Sequence, residues 1–369
     1  MQSRANDLPS GRIVSIDALR GFDMFWIIGG GTLLQRLFAL YDTPVTQAIA
    51  LQFHHPEWSG FTAWDLIFPL FLFIVGASIP FSLTKRLDSG DSERAVVFHI
   101  VKRTAVLYFL GMIVEAGRID VLGGLRYTGV LQRIAFCYCA TSLIVMHTRI
   151  RGQAVWAAAL LIGYWLVMYF IPVPGHGAGV FTPEGNLASY LDRLLQPGAL
   201  RQELFDNEGF LSTFPAIATT LLGVLSGQWL GTSRTGNRKA VMLLAVGAAS
   251  LIVGLLWSTV FPINKLIWTS SFALVTGGLS MLLLAVFFWL IDVRGYRKWA
   301  FPFVVIGLNA LAIYFASAVF DFDRIVAVFT YEFVDLMGSF KPLFGAAAVI
   351  AVKWIGLYIL YDRKIFIKM

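Results

Sequence analysis

Charge is scarce in this sequence. Only 14% of its 369 residues are Asp, Glu, Lys or Arg, against roughly one quarter in soluble domains, which argues against an ordinary water-soluble fold. Intrinsic disorder and nucleic-acid binding recede for the same reason. Cysteine is scarcer still: Cys137 and Cys139 are the two present. Two positions apart on a helix they point in different directions, so neither a disulfide framework nor a metal quartet is available. The polar stretch Met1–Arg12 contains no apolar run followed by a small-residue cleavage site, and no removable signal peptide is expected.

What the chain has in abundance is apolar surface. Hydrophobic residues make up 57% of it, 31 of them Phe, and the mean hydropathy is +0.72. Ten apolar stretches of about 20 residues, the length that crosses a bilayer, centre on Ala18–Leu40, Thr62–Leu83, Val97–Gly117, Gly129–His147, Ala154–Val173, Phe210–Gly231, Ala240–Thr259, Leu266–Ile291, Phe301–Phe320 and Gly345–Tyr361. The expected fold is all-α, a polytopic membrane protein with both termini on one side. Of the 29 Lys and Arg residues, 18 fall on the face with the termini and seven on the other, while Arg20, Arg36, Arg133 and Lys353 lie inside the stretches. The positive-inside rule then makes the termini cytosolic, and most of the net charge of +7 becomes an orientation signal. One transmembrane domain over residues 1–369 is expected, with a cytosolic tail at 1–12 and external loops at 41–61 and 174–209. The longer loop has room for a short helix around Ser189–Leu195.

A helix that only spans has no use for charge, since an Asp or Arg near the bilayer centre costs about 2.5–3.5 kcal/mol. Asp17 and Arg20 share a helix face, either as a pair lining an interior or as an ion pair capping the cytosolic end. Gly29-Gly30-Gly31 follows in the same span and implies a locally opened helix or tight packing. The first external loop carries His54 and His55, then Trp58, Asp65 at the entry to the second span, and Pro69 within it. A histidine there can take a proton from a nucleophile while Asp65 orients a neighbour, or it is simply an interfacial residue. Two adjacent histidines make a poor zinc site. Arg133 opens the fourth span, as partner to an acid such as Asp65 or Glu115 or as a snorkelling side chain. Asn264, Lys265 and Trp268 add polar groups before the eighth span and Asn309 does so in the ninth, where each is equally able to hydrogen-bond between helices.

Ser15-x-Asp17-x-x-Arg20-Gly21, His55-x-x-Trp58-x-Gly60-x-Thr62-x-x-Asp65, Gly129-Val-Leu-Gln-Arg133, Phe205-Asp206-x-Glu208-Gly209, Asn264-Lys265-x-x-Trp268 and Lys364-Ile-Phe-x-Lys368 together resemble the heparan-α-glucosaminide N-acetyltransferase family and its bacterial relatives, within a superfamily of multi-span acyltransferases. The shared motifs begin near residue 12. They start without the large luminal region and extra span of the lysosomal members, as expected of a bacterial inner-membrane protein. The resemblance implies transfer of acetyl from cytosolic acetyl-CoA, as co-substrate and without a metal, to the amine of a glucosamine-terminated saccharide on the external side, the chemistry that serves heparan sulfate degradation in the lysosomal members. It places the active-site histidine on His55, with His54 one residue out of register. It departs at Ile27 and Ile28, where the family has an Asn before its Gly run; either another donor replaces it, Asn309 or a neighbouring backbone N–H, or the transfer chemistry is altered here.

The expected chemistry needs a base for the amine and donors for the thioester oxyanion. His55 fills the first role, by direct proton acceptance or as an acetyl-histidine intermediate, with Asp65 setting its tautomer. Asp17, Arg20, Trp58, Arg133, Lys265 and Asn309 are candidates for binding substrate or acyl donor. The expected partners are an amino sugar, the lipid bilayer and a second copy as homodimer, with no nucleic acid. An amino-sugar permease and an O-acetyltransferase of a cell-envelope glycan are the alternative readings.

Overall fold

Among the described residues the apolar runs fold as helices. The computed structural model describes residues 13–41, 43–117 and 124–367, with the side chains of 331–336 outside the description. The expected tail at 1–12, Arg118, expected on the external face, and Lys368 of the closing motif lie outside the described residues. In chain order the helices are α1 (Val14–Phe25), α2 (Gly31–Phe38), α3 (Pro44–Leu51), α4 (Ile67–Asp88), α5 (Glu93–Ala116), α6 (Val130–His147), α7 (Ile150–Phe170) and α8 (Leu187–Leu195). There follow α9 (Thr213–Leu230), α10 (Gly236–Trp257), α11 (Ser270–Phe288), α12 (Phe301–Leu308), α13 (Ala310–Val319), α14 (Phe322–Val334) and α15 (Lys341–Asp362). Among the described residues there is no named strand, only two isolated bridges.

Among the described residues, seven helices are long and apolar enough to cross a membrane, or eight if the bent pair α12 and α13 counts as one span. The sequence pattern suggested ten uniform stretches, and the differences have local causes. The first stretch is interrupted between α1 and α2 by a π-helical turn, Trp26–Gly30, in which Gly29 takes φ 153°. The ninth bends by 71° between α12 and α13, at Asn309. The sixth is α9, an 18-residue helix whose Thr, Ser and Gly residues are mostly buried. Inside the stretch 41–61, expected as the first external loop, lies α3, a helix the hydropathy pattern did not suggest. Its signal is the Thr43-Pro44 start, where the Thr43 hydroxyl caps the Thr46 N–H and Pro44 takes the first helical position. The short helix expected near Ser189 is α8, capped by the Asn186 side chain on the Ser189 N–H at 2.8 Å.

The chain divides into two compact units. The first comprises Met1–His55, Thr62–Ile67 and Leu283–Met369. In it α1 lies against α12 through glycine. A Cβ on Gly21 would sit 1.7 Å from the Phe303 carbonyl oxygen, and one on Gly307 would sit 1.9 Å from that of Asp17. Phe22, Phe25, Phe287 and Phe303 fill the space beside this contact with tilted and edge-to-face ring pairs. Asp292 accepts the backbone N–H groups of Val14 and Ser15 at 3.2 and 3.0 Å, as a carboxylate does at a helix start.

The second unit comprises Pro56–Phe61 and Phe68–Leu282. Its core is the crossing of α4 and α9, where a Cβ on Gly223 would lie 1.9 Å from the Phe73 carbonyl oxygen. Lipid tails offer no hydrophobic drive for helices to associate, so such small-residue contacts supply the packing. Much of α5 and α10 is left as exposed apolar surface, including Phe98, Phe109, Val241 and Leu256. Cys137 is buried and Cys139 half-buried, both as free thiols.

Candidate active site

The loop after α3 is folded back on that helix. Gln52 accepts the Trp64 N–H on its carbonyl at 3.0 Å and the Ala63 N–H on its side chain at 3.2 Å. This sets up a single 3-10 turn, Ala63–Leu66, with Thr62 as its cap. Asp65 reaches back to that cap: its Oδ2 accepts the Thr62 N–H at 3.0 Å and the Thr62 hydroxyl at 3.2 Å. Its Oδ1 lies 2.6 Å from His55 Nδ1. The aspartate side chain is 1% exposed and the histidine 46%. A carboxylate only accepts, so Nδ1 carries the hydrogen and the ring's basic lone pair is placed on Nε2. The geometry is that of a histidine oriented by a buried carboxylate, an arrangement suited to proton transfer. His54 contributes its carbonyl, which accepts the Thr62 hydroxyl at 2.9 Å.

Elsewhere in the first unit, Arg20 pairs with Asp17 at 3.0 Å and reaches toward the Gly307 carbonyl at 3.5 Å. Asp17 is buried, so this is an interior pair and not a solvent-facing cap. Asp23, two positions after Gly21, is fully buried, and neither carboxyl oxygen has a hydrogen-bond partner among the described residues. Asn309 lies at the break between α12 and α13. Its amide donates to the Ile365 carbonyl at 3.1 Å and its oxygen accepts the Ile367 N–H at 2.8 Å. Both ends thus tie the C-terminal segment to the broken helix. Lys353 of α15 donates to the Ile28 carbonyl at 2.8 Å.

In the second unit the Trp58 indole N–H donates to the Phe181 carbonyl at 2.7 Å, and its ring packs edge-on to Phe205. Lys265 is half-buried in the turn before α11, where its carbonyl accepts the Trp268 N–H at 3.1 Å. Arg133 is 1% exposed, which rules out snorkelling. Its guanidinium donates to the Gly209 carbonyl at 3.2 Å and to the Ser212 hydroxyl and lies 5.1 Å from the centre of the Trp268 ring.

The partner of Glu115 is Arg126, at 3.2 Å, a residue that sequence reasoning treated only as a topological charge. Arg126 also binds Asp206 and Glu208, and the acidic pair in the Phe205–Gly209 motif was the signal for this cluster. Burial opposes the Arg126 charge, but the hydrogen bonds it donates to Asp206 and the charge of Glu208 raise its pKa. Burial likewise opposes ionisation of Asp206, yet Arg126, with Gln196 and the Glu208 N–H, holds it down to about 2. Asp192 has backbone N–H donors from Phe210 and Asp206 and no side-chain cation bonded to it among the described residues. Burial pushes it up to about 6. Among the described residues no group of three or more His, Cys, Asp or Glu is arranged to hold a metal ion.

A family model described as a domain of unknown function, DUF5009, matches residues 12–179. The heparan-alpha-glucosaminide N-acetyltransferase of Homo sapiens is 27% identical over 431 aligned residues, covering 99% of this chain and 61% of that protein. The enzyme of the same name from Mus musculus is 26% identical over 374 residues, covering 86% of this chain and 56% of its own. The chain spans about three fifths of the length of these curated relatives. Helical among the described residues and built on long apolar helices, the chain is similar over nearly its whole length to the heparan-alpha-glucosaminide N-acetyltransferase of Homo sapiens.

Proposed function

We propose that this protein is a membrane N-acetyltransferase that moves an acetyl group from cytosolic acetyl-CoA to the amine of a glucosamine-type sugar on the external side of a bacterial inner membrane. The observation that carries the proposal is the 2.6 Å contact between His55 Nδ1 and the buried Asp65 carboxylate. In the proposed reaction the neutral amine attacks the thioester carbon and forms the new C–N bond. His55 Nε2 takes the proton released from the nitrogen, the C–S bond breaks, and the departing CoA thiolate recovers that proton. An acetyl-histidine intermediate would use the same nitrogen as nucleophile. The proposed topology is ten spans with cytosolic termini, supported by the distribution of Lys and Arg, in one transferase domain that operates as a monomer or homodimer.

A permease for amino sugars is a second reading, favoured by the two interrupted helices, since discontinuous spans line solute paths in many transporters. Purified protein supplied with acetyl-CoA and a panel of amino sugars separates the two. The transferase releases free CoA only when an amine acceptor is present, and product analysis distinguishes an amide from an O-acetyl ester. Uptake of labelled amino sugar into proteoliposomes with no consumption of acetyl-CoA would replace the transferase by the permease.

A further inference from the structure

Helix α15 keeps the least of its surface inside the protein among the candidate spans, and Val349, Lys353 and Leu357, one turn apart, are its buried residues. A cation in the middle of that stripe, about 18 Å along the helix, is costly in a membrane and marks function by default. The Lys353 ammonium donates to the Ile28 carbonyl at 2.8 Å and lies 5.0 Å from the centre of the Phe322 ring. Ile28 belongs to the π turn, where the ordinary helical bonding is interrupted and a carbonyl can accept from outside the helix. Ile350, one turn before Lys353, occupies the space where a Gly29 Cβ would sit, at 2.7 Å. Two residues of α15 thus grip the opened turn. From that turn, contacts lead to the dyad: Gly31 abuts the Trp64 indole so closely that a Cβ would lie 2.4 Å from it, and Trp64 directly precedes Asp65. Trp26 and Phe53 extend the same contact on the other side, with ring centres 5.7 Å apart.

An ammonium has three N–H donors. One serves Ile28 and the charge faces Phe322, which leaves capacity for a further acceptor. A thioester donor entering from the cytosol to react at His55 must carry its amide and thioester carbonyls through an apolar interior, where an unpaired carbonyl is expensive. We propose that Lys353 is an acyl-donor-binding residue, its ammonium holding a carbonyl oxygen of the pantetheine arm of acetyl-CoA beside the opened turn of the first span. The assignment rests on acetyl-CoA being the donor, as proposed above.

The test uses the full-length protein, its K353Q and K353M variants, and steady-state kinetics with acetyl-CoA and glucosamine, alongside acetyl-CoA binding and thermal stability. K353Q retains an N–H for the Ile28 carbonyl but loses the cation; K353M loses both. The expected result is a rise of roughly tenfold or more in the KM and Kd for acetyl-CoA in both variants, with the KM for glucosamine unchanged. Wild-type behaviour of K353Q, or a parallel rise in both KM values with a fall in Tm, would reduce Lys353 to a support for the helix and overturn the proposal. A wild-type protein that binds acetyl-CoA while K353M binds it equally well removes only the Lys353 assignment. A wild-type protein that neither binds nor consumes acetyl-CoA removes the transferase reading with it.

Discussion

Gly21 and Gly307 hold α1 and α12 at backbone contact: a Cβ on Gly21 would lie 2.8 Å from the Gly307 nitrogen, and one on Gly307 would lie 2.9 Å from the Gly21 nitrogen. The same contact brings the Gly307 carbonyl toward Arg20, the partner of Asp17. Helix packing and the buried ion pair therefore depend on one another.

Gly307→Ala should force the two helices apart and destabilise the protein by roughly 1–3 kcal/mol. Measured as Tm in detergent, the loss should exceed that of Gly345→Ala, where the added Cβ meets open space. Equal Tm values for the two variants would mean that the contact is not tight.

His55→Ala should abolish acetyl transfer. Asp65→Asn should retain the fold through the Thr62 contacts but lower turnover by about 10²–10⁴, the scale of a lost or misoriented general base. Initial rates of CoA release measure both, and an active His55→Ala variant would move the chemistry to another residue.

The acid cluster predicts an opposed pair of pH effects on stability. Asp192, raised to about 6, binds more protons folded than unfolded between its unfolded value of about 4 and pH 6, so stability falls as pH rises through that window. Asp206, lowered to about 2, stabilises above about pH 4 and loses that contribution as pH falls toward 2. Each shift corresponds to roughly 2–3 kcal/mol. Thermal unfolding from pH 3 to pH 7 should therefore pass through a maximum between the two windows, and Asp192→Asn should remove the decline between pH 4 and 6.

Membrane orientation is testable with single cysteines in a background lacking Cys137 and Cys139. Ala178→Cys, in the loop before α8, should react with an impermeant maleimide added to spheroplasts. Ser89→Cys, between α4 and α5, should react only after permeabilisation. The reverse pattern would invert the topology.

Much of the architecture is legible in the sequence because hydropathy and helix caps are local. The α4, α5, α6, α7, α10, α11 and α15 helices lie where the apolar runs are, and α8 follows its Asn186 cap. The candidate dyad is legible in part. His55 and Asp65 stand out as titratable residues beside the second span, but their 2.6 Å contact depends on how α3 and the 3-10 turn fold back on each other. Ten positions separate them, and no periodicity spans that distance.

By itself the sequence determined an all-helical chain with long apolar helices, because bilayer-length apolar runs satisfy their backbone polar groups only as helices or closed barrels, and these runs lack the alternation of a barrel. It also singled out the sparse polar residues in or beside those runs. Only the tertiary structure decided who pairs with whom. Glu115 goes to Arg126, Arg133 to Gly209, Ser212 and Trp268, Asn309 to the C-terminal segment, and Lys353 to a carbonyl in a turn more than three hundred residues away. The physical reason is range: hydropathy and capping act within a few residues, whereas a buried charge is satisfied by whatever donor or acceptor the packed helices bring within about 3 Å.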